Sequence, residues 1–465
     1  MMPSMYLTDA AQRFGGTVLN PDSRFTSVSI DSRQVKEGDL FVAIEGENFD
    51  AHSFISSVSG KISGVVVSKA DLSSDLPQWI VGDTTKALGD LAKLRRDSFQ
   101  GCLIAITGSS GKTSVKESVL SILSQTNKVH GTKGNLNNHF GVPLTLLAMD
   151  SETEIAVIEM GASSVGEIEY LCSIASPDIA LINNAQTAHI EGFGSVEAIA
   201  KAKGEIYSSL GSSGIAVINL DQLWKSDWLD IVGDRPCITF SIDDTSADIF
   251  AKDITDLGGA YFSFVLCLNS ISSDSSKECF ITLTVPGLHA VSNALASAAC
   301  AIAAGANLDN VASGLKSVVP IAGRLHRTLL QEKYTIIDDS YNANPESFVT
   351  AIDVLSSSSG YRILVMGDMG ELGDRAIDLH RQVGSYAKRS KIQSLFSVGS
   401  LSQNASDEFS GYHFKTKNSL VDGLCGHIKA IRDQGKEITI LVKGSRSARM
   451  EQVVKALTSR EKIPC

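Results

Sequence analysis

Residues 102–123 read CLIAITGSSGKTSVKESVLSIL, and this stretch decides the fold of the chain. Its first six residues form a short apolar run that is typical of a buried strand, and apolar residues after the turn recur at helical spacing. Gly108 and Gly111 lie in the turn between them, where they let successive backbone N–H groups point inward at the helix start. The pattern predicts a strand, a phosphate-binding loop and a helix.

The predicted loop offers the groups that bind a nucleoside triphosphate and its metal ion. Lys112 can reach the terminal phosphates, and the Thr113 hydroxyl can hold Mg²⁺. The loop is shorter than the general phosphate-loop pattern, because Ile106 stands where that pattern has its first glycine. An ordinary Gly/Ser turn is the alternative. The candidate nucleotide-binding residues of the loop are Thr107, Gly108, Ser109, Ser110, Gly111, Lys112, Thr113 and Ser114.

Length, charge and cysteine usage bound the class of protein. A chain of 465 residues suggests about three domains at ~150 residues each. The net charge of −11 argues against nucleic acid as a partner, so an anionic substrate would need a local basic site. The eight cysteines are scattered without zinc-site spacing, which is typical of a reducing cytosol. We find no signal peptide and no apolar run of ~18 residues, and we therefore expect a cytoplasmic protein without membrane insertion.

The strand and helix patterns predict an α/β protein of three domains. Residues 1–99 predict a small α/β domain, and residues 100–320 alternate between strand and helix patterns. That alternation predicts a mostly parallel sheet covered by helices. Residues 321–465 predict a third, Rossmann-like α/β domain, in which a strand is followed by a polar loop three times.

Polar residues cluster where strands of the second domain end. Glu159 ends a strand that is otherwise apolar, and ligands of open α/β sheets bind at that edge, so Glu159 is a candidate for Mg²⁺. A solvated strand end is the alternative. His189 lies in a Gly-bounded loop at the same edge, where it contacts metal or phosphate or is merely structural. A loop with three asparagines could bind ligand or only cap turns; these are Asn135, Asn137 and Asn138.

Lys203 stands on the apolar stripe of a predicted helix, four residues from both Ile199 and Tyr207. Burial disfavours the charged form of a lysine. A neutral amine can react with CO₂ to give a carbamate, which would be an anionic metal ligand. The alternative is a lysine whose stem lies on apolar surface while its charged end reaches water.

Other candidates lie at the start of an Ala-rich helix and between the second and third domains. His289 and Asn293 fall in the first turn of that helix and could meet a ligand, although Asn293 could also be local polar structure. Arg324 lies in the hinge before the third domain, where it can reach phosphate only when the domains close. The three polar loops of the third domain predict one cleft.

Seven segments together resemble the Mur ligases, the ATP-dependent amide-forming enzymes of peptidoglycan synthesis. The resemblance covers essentially the whole chain, and its segments are TGSSGKTS (107–114), GNLNN (134–138) with GVPLT (141–145), HIEGFGS (189–195), KAKGEI (201–206), DSYNAN (339–344), GDMGELG (367–373) and VKGSRS (442–447). Within the family the resemblance is to the branch that adds D-alanyl-D-alanine to UDP-N-acetylmuramoyl-tripeptide. It implies three domains: a uridine-nucleotide domain, an ATP-binding domain and a Rossmann-like domain.

The resemblance also implies roles for individual residues. The phosphate loop would hold ATP and Mg²⁺, with Lys112, His189, Lys203 and Arg324 as the catalytic residues. Glu159 and His189 would serve two Mg²⁺ ions, and a carbamylated Lys203 would share the second. Asn293 would contact adenine, Arg324 the γ-phosphate and Asp339 the ribose. Candidates for the uridine-nucleotide substrate are Asp31, Ser32, Arg33, Gly46, Asn48, Asp50 and His52, and those for the other substrate groups are Asn135, Asn137, Asn138, Asn342, Asn344, Lys443, Ser445 and Arg446.

The implied reaction joins the tripeptide carboxylate to D-alanyl-D-alanine through an acyl phosphate, and the expected state of the enzyme is a monomer. From the residues alone, Asp31, Ser32 and Arg33 could be only a polar turn. A folylpolyglutamate synthetase-type enzyme and the ligase that adds the third residue are the nearest alternatives. The latter typically carries Asp-Asn-Pro-Arg, whereas this chain has Tyr-Asn-Ala-Asn-Pro at 341–345. A phosphate-loop switch ATPase and a nucleotide-sugar-binding module are alternatives of another class.

Overall fold

The structure is a computed structural model that describes residues 4–46, 49–187, 190–269, 277–330 and 334–459. Three main sheets follow one another along the chain, and we name them the N-terminal, central and C-terminal sheets. This architecture confirms the α/β fold class. Within the described ranges, no helix is both long and apolar enough to cross a membrane. The predicted boundaries at residues 99 and 320 stay a prediction.

The N-terminal sheet is small and mixed. Its strand order is β2-β9-β8-β5-β4, with β2 antiparallel to β9 and the other pairs parallel, and β1–β3 and β6–β7 form separate short pairs. The elements are β1 Met5–Tyr6, α1 Leu7–Phe14, β2 Thr17–Leu19, β3 Arg24–Phe25, β4 Val28–Ser29, β5 Leu40–Val42, β6 Glu45–Gly46, β7 Phe49–Asp50, α2 Ile55–Val58, β8 Gly64–Val67, β9 Gln78–Ile80 and α3 Thr84–Asp97.

The central sheet contains the phosphate loop. Its order is β11-β12-β10-β13-β14-β15-β16-β17-β18, parallel as far as β16 and antiparallel over the last two pairs. The elements are β10 Cys102–Thr107, α4 Lys112–Leu123, β11 Val129–Gly131, α5 Gly141–Leu147, β12 Ile155–Glu159, α6 Glu167–Ala175, β13 Ile179–Ile182, α7 Ile190–Phe193, α8 Val196–Ser208, β14 Ile215–Asn219, α9 Lys225–Val232, β15 Cys237–Ser241, β16 Ile249–Asp256, β17 Phe262–Leu268, β18 Glu278–Thr282, α10 His289–Ala303 and α11 Leu308–Lys316.

Strand β10 shows why this sheet is buried on both faces. Leu103 and Ala105 pack into one apolar cluster together with residues of α5, α6 and α8. Ile104 and Ile106 pack into another cluster together with residues of α4, α10 and α11. Because side chains alternate along a strand, a continuous apolar run covers both faces, as parallel sheets between helices require. The phosphate loop therefore leaves the sheet from a rigid central strand.

The sequence pattern predicts strands at 214–219, 237–241, 261–268 and 279–285, joined by polar loops, and therefore leaves the residues of β16 in a loop. Its first three residues, from Ile249 to Ala251, are buried, whereas Lys252 and Asp253 are exposed. Only half of the strand is apolar because the antiparallel end of the sheet leaves part of β16 in water. Its charged second half therefore hides the strand from an analysis of apolar runs.

The C-terminal sheet has the order β19-β20-β24-β21-β22-β23, with β19 antiparallel and the others parallel. The strands that carry the predicted polar loops, β20, β24 and β21, are therefore neighbours, and their loops leave from one edge. The elements are β19 His326–Leu330, β20 Tyr334–Asp339, α12 Pro345–Ser356, β21 Tyr361–Gly367, α13 Ala376–Arg389, β22 Ser394–Val398, α14 Ser402–Phe409, β23 Tyr412–Phe414, α15 Lys417–Arg432, β24 Ile438–Lys443 and α16 Glu451–Ser459.

Candidate active site

One cavity of about 940 Å³ lies between the phosphate loop and the loops of the C-terminal sheet. It brings together residues that were predicted from seven separate segments of the chain. The predicted residues that line it are Ser109, Ser110, Gly111, Lys112, Thr113, Ser114, Asn135, Asn137, Asn138, Glu159, His289, Asn293, Arg324, Asp339, Asn342, Asn344, Lys443, Ser445 and Arg446. The loops after β20 and β24 thus face the nucleotide loop, as a single cleft requires.

The phosphate loop is supported by a polar segment that the sequence analysis did not assign to the site. The Asn184 side-chain oxygen accepts a hydrogen bond from the Ser110 N–H at 2.9 Å, and the Gln186 side-chain oxygen accepts one from the Ser110 hydroxyl at 2.8 Å. Asn183 is buried and donates to the Ser110 carbonyl at 3.1 Å. These residues follow β13, the neighbour of the loop strand, so their position at the sheet edge was the available signal.

Gly111 fits the loop because it has no side chain. Its φ is +79°, and a Cβ atom there would lie 2.5 Å from the Asn183 amide nitrogen and 2.7 Å from the Asn293 amide oxygen. Asn183 and Asn293 also hydrogen-bond to each other at 2.9 Å, so neither side chain is free to move alone. The start of α4 is therefore fixed by its neighbours as well as by its own backbone.

We expect Gly111→Ala to lower the affinity for the Mg²⁺ complex of ATP at least about tenfold, because two tied side chains must shift and the loop with them. Titration calorimetry measures the affinity. Gly435→Ala is the matched control, because Gly435 has a φ of +74° but no atom within 4 Å of the added Cβ. An equal loss of affinity in both variants would contradict the expectation.

Glu159 and Thr113 form the core of the candidate metal site. Glu159 is buried, and its carboxylate accepts hydrogen bonds from the Thr113 hydroxyl and the Asn137 amide, each at 2.8 Å. The alternative of a solvated strand end is therefore wrong. Hydroxyl and carboxylate oxygens suit Mg²⁺. Among the described residues, no group of three or more His, Cys, Asp and Glu side chains forms a metal cluster, and His189 lies outside the described residues.

Two cationic side chains contact the phosphate loop. The Lys112 ammonium donates to the Gly108 carbonyl, and the Arg324 guanidinium donates to the Thr113 hydroxyl at 2.8 Å. The hinge residue therefore reaches the loop. Burial lowers the pKa of Lys112, the carboxylate of Glu159 opposes this shift, and the charge of Arg324 adds to it.

Lys203 is 3% exposed and has no hydrogen-bond or ion-pair partner in the described part of the chain. Burial, and then the nearby charge of Lys112, hold its pKa well below the ordinary value for lysine. This nearly complete burial of the residue argues against the interpretation of Lys203 as a lysine whose end reaches water. Lys203 itself does not line the cavity among the described residues. It lies close enough to Lys112 for the two charges to interact.

Asp339 and Lys443 form a buried ion pair at the edge of the C-terminal sheet. Their side-chain atoms are 2.5 Å apart, and they face each other in the register of β20 and β24. The Lys443 ammonium also donates to the Asn342 carbonyl at 3.0 Å, and Asp339 accepts from the Leu325 N–H at 3.1 Å. Separate ligand roles were expected for Asp339 and Lys443 from the sequence, whereas in the structure the two side chains pair with each other and Asp339 also binds the hinge at Leu325.

We expect Lys443→Met to destabilise the protein by about 3 kcal/mol, because it leaves the carboxylate of Asp339 without its charge partner in a largely buried place. Urea unfolding measures the loss. Lys415→Met, an exposed substitution in the same part of the chain, should stay within about 0.5 kcal/mol of the parent. An unfolding midpoint for Lys443→Met that matches the Lys415→Met midpoint would rule out a stabilising pair.

Several predicted ligand residues also have structural contacts. The Asn344 side chain caps α12 by accepting from the Ser347 N–H at 2.7 Å, and Asn138 accepts from the Gly141 N–H at 2.9 Å at the start of α5. Thr107 lies outside the cavity lining among the described residues, and its hydroxyl donates to the Met160 carbonyl at 2.9 Å. Asn344 and Asn138 keep their amide NH₂ groups for other partners.

The predicted uridine-nucleotide residues do not line this cavity in the described ranges, and Asn48 lies outside those ranges. Arg33 pairs with Asp31 at 2.8 Å, and this contact lowers the pKa of Asp31 to about 2. The Asp50 carboxylate contacts the His52 ring at 2.6 Å, and the ring accepts from the Ser68 N–H at 3.0 Å. Asp31 thus turns the chain locally, as the polar-turn alternative expected, and the roles of these residues, with Ser32 and Gly46, stay predictions.

Two further residues lie at the boundary between the central and C-terminal parts of the chain, which we call the seam. The sequence did not identify them as site residues. The ring of Tyr341 lies 4.3 Å from the Arg324 guanidinium carbon and 5.8 Å from that of Arg446. Glu346, in the first turn of α12, accepts a hydrogen bond from the Thr187 N–H of the central part at 3.2 Å. A contact between residues that are far apart in the chain leaves no local signal in the sequence. The pattern of a strand followed by a polar loop nevertheless placed both residues at the correct edge of the C-terminal sheet.

The fold and this site define a phosphate-loop nucleotide-binding protein with a second α/β unit closed over the loop. Residues 106–301 match the Mur ligase middle domain, and residues 323–446 match the Mur ligase glutamate ligase domain. The UDP-N-acetylmuramoyl-tripeptide–D-alanyl-D-alanine ligase of Escherichia coli K12 is 42% identical over 458 residues, which are 98% of this chain and 99% of that protein. The chain therefore belongs to the Mur ligase family.

Solved structures agree over the whole length. The crystal structure of MurF from Acinetobacter baumannii superposes with a TM-score of 0.91 at 32% identity and covers 98% of this chain and 99% of its own. MurF ligase from Thermotoga maritima, solved in complex with ADP, gives a TM-score of 0.80 at 27% identity over 94% of this chain and 98% of its own. The three-part architecture is therefore that of this family.

Proposed function

We propose that this protein is an ATP-dependent ligase that joins D-alanyl-D-alanine to UDP-N-acetylmuramoyl-tripeptide. The products are UDP-N-acetylmuramoyl-pentapeptide, ADP and phosphate. The single observation that carries the proposal is the reach of Arg324 from the hinge to Thr113 of the phosphate loop. A second group of polar loops then faces the site of phosphate transfer. Full-length similarity to a ligase of this activity, at 42% identity, supports the same reaction over the sister ligases.

The residues at the phosphate loop fit ATP and Mg²⁺. Gly111 leaves a space that a Cβ would fill, and the ammonium of Lys112 is held by a loop carbonyl beside the helix start. Thr113 and Glu159 would hold Mg²⁺, which supplies charge neutralisation to the phosphates when bound. Asn293, next to the loop, would contact the base, and Asp339 the ribose. A relative solved with ADP supports nucleotide binding at this site.

The proposed reaction has two steps. The tripeptide carboxylate attacks the γ-phosphorus of ATP, so that a C–O–P bond forms and ADP leaves. The amine of D-alanyl-D-alanine then attacks the acyl carbon, the amide bond forms, phosphate leaves and the amine loses a proton. Lys112 and Arg324 reduce the repulsion between the carboxylate and the phosphates and disperse charge as the phosphoryl group moves. Closure of the C-terminal part over the phosphate loop would exclude water that hydrolyses the acyl phosphate.

The loops of the C-terminal sheet would bind the dipeptide. Arg446 lines the cavity and offers a cation to the dipeptide carboxylate, while Asn342, Asn344 and Ser445 offer hydrogen bonds. The N-terminal part would bind the uridine nucleotide through the segments around Arg33 and His52.

We also propose that Lys203 is carbamylated and serves a second Mg²⁺. The residue is 3% exposed and makes no hydrogen bond or ion pair with the described part of the chain, and its lowered pKa favours the neutral form that reacts with CO₂. The new N–C bond releases one proton and replaces a neutral amine with an anion beside Lys112. An anion there would relieve the effect of the neighbouring positive charge.

Phosphate release from ATP, combined with mass spectrometry of the product, tests the proposed function. The purified protein is incubated with Mg²⁺ and UDP-N-acetylmuramoyl-tripeptide, with and without D-alanyl-D-alanine. We expect release that depends on both substrates and the mass of the pentapeptide product. Release without either substrate would contradict the proposal and favour a switch ATPase. Release with UDP-N-acetylmuramoyl-dipeptide and a single amino acid, but not with the tripeptide and D-alanyl-D-alanine, would favour the sister ligase that adds the third residue.

A further inference from the structure

Tyr341 contacts two cations that the proposed function assigns to different substrates. Its ring centre lies 4.3 Å from the guanidinium carbon of Arg324 and 5.8 Å from that of Arg446. Both distances are within the ~6 Å over which a guanidinium is attracted to the face of an aromatic ring. Arg324 belongs to the phosphate side of the cavity and Arg446 to the dipeptide side, so one ring touches both sides.

The backbone around Tyr341 is tied to the two segments that carry these arginines. The Tyr341 N–H donates to the Gly323 carbonyl at 3.1 Å, and a Cβ at Gly323 would lie 3.2 Å from the Cβ of Tyr341. On the other side, the Arg446 N–H donates to the Asn342 side chain at 3.3 Å. The ring therefore keeps a defined place relative to the hinge and to the loop after β24.

We propose that Tyr341 is a positioning residue that holds Arg324 and Arg446 in one arrangement, so that the phosphoryl group and the dipeptide carboxylate are bound in register. This inference rests on the proposed ligase function. Two neighbouring guanidinium groups repel each other, and the negative face of the ring offsets this repulsion while the site awaits its anionic substrates. Tyr341 itself makes and breaks no bond in the reaction.

The two distances predict unequal effects. Arg324 is the closer cation, so loss of the ring should act mainly on phosphoryl transfer, and Arg446 should be affected less. We expect Tyr341→Leu to lower kcat about tenfold and to raise KM for the dipeptide about threefold, as loss of cation–π contacts of ordinary strength would give. Tyr341→Phe keeps the ring and should recover most of the activity. A role of the hydroxyl alone would leave the phenylalanine variant as impaired as the leucine variant.

The experiment compares Tyr341→Leu and Tyr341→Phe in the full-length protein, with Tyr386→Leu as a matched control. Tyr386 also lies beside an arginine in the same part of the chain, at 6.0 Å from Arg389, but outside the cavity lining. Thermal unfolding of each variant separates lost packing from lost positioning. Equal kcat in the leucine and phenylalanine variants would overturn the inference. The inference would also be overturned if Tyr341→Leu and Tyr386→Leu both lost kcat in proportion to their loss of unfolding temperature.

A double-mutant cycle with Arg446→Ala adds an independent readout. If the ring positions Arg446, Tyr341→Leu should raise KM for the dipeptide in the parent but leave it unchanged in the Arg446→Ala background. The same threefold rise in both backgrounds would overturn the link to Arg446. The activity of the parent protein distinguishes failure of this inference from failure of the proposed ligase function. A parent that forms the pentapeptide product confirms the ligase whatever the Tyr341 variants do, and a parent that forms none refutes it.

Discussion

Lys203→Ala should lower the rate of amide formation by about a thousandfold or more. Loss of a proposed metal ligand removes several kcal/mol of charge stabilisation during phosphoryl transfer, and each ~1.4 kcal/mol corresponds to a tenfold change in rate. The effect should fall mainly on kcat, because the uridine-nucleotide substrate is expected to bind elsewhere. The coupled release of phosphate and the yield of product measure it.

Added short carboxylates, such as formate or acetate, should partly restore the activity of Lys203→Ala, because they can replace the carbamate group in the space that the substitution opens. Lys201→Ala is the matched control, since Lys201 lies on the exposed face of the same helix. We expect it to keep the parent rate. Thermal unfolding shows whether the new cavity destabilises α8. Full activity of a folded Lys203→Ala variant would rule out the carbamate.

Arg324→Ala should slow phosphate release by about a thousandfold, because a guanidinium that reaches the transferring phosphoryl group is worth 10³–10⁵ in rate. Arg324→Lys should recover little, because a lysine does not reproduce the planar group that contacts both Thr113 and the Tyr341 ring. Steady-state kinetics at saturating ATP separates kcat from KM.

Arg381→Ala serves as the control for Arg324, because Arg381 is exposed on α13 and, with the described residues, makes only a surface ion pair of 3.7 Å with Asp378. It should keep the parent rate. A parent-like kcat in the Arg324→Ala variant would show that closure of the seam does not contribute to phosphoryl transfer. It would leave the arginine with a binding role at most.

The elements nearest the phosphate loop were the most predictable part of the fold. Strand Cys102–Thr107 and helix Lys112–Leu123 occupy the residues that the sequence pattern assigned to them. Their signal is local: a branched apolar run, a glycine turn and a helical repeat. Strand Ile249–Asp256 was missed because only its first residues are buried, so its apolar pattern is too short.

The candidate site was predictable by residue type but not by partner. Glu159, Thr113 and Arg324 were all proposed as ligand residues, and the structure places them in one cluster. The pairing of Asp339 with Lys443 depends on the adjacency of β20 and β24, which are about a hundred residues apart in the chain. No periodicity along the chain reports which strands become neighbours. The ligand roles themselves stay predictions.

The segment that runs from Asn184 to Thr187 has two sets of neighbours. Its first residues hold Ser110 of the phosphate loop, while the Thr187 N–H is bound by Glu346 of the opposite wall. The nucleotide pocket and the seam therefore share one stretch of backbone. By thermodynamic reciprocity, a bound nucleotide that favours contact between the two walls is itself bound more tightly, by the same free energy, when the walls are in contact. ATP and its product ADP would then leave only after the two walls of the cavity separate. The release of ADP would therefore set the shortest possible time for each turnover.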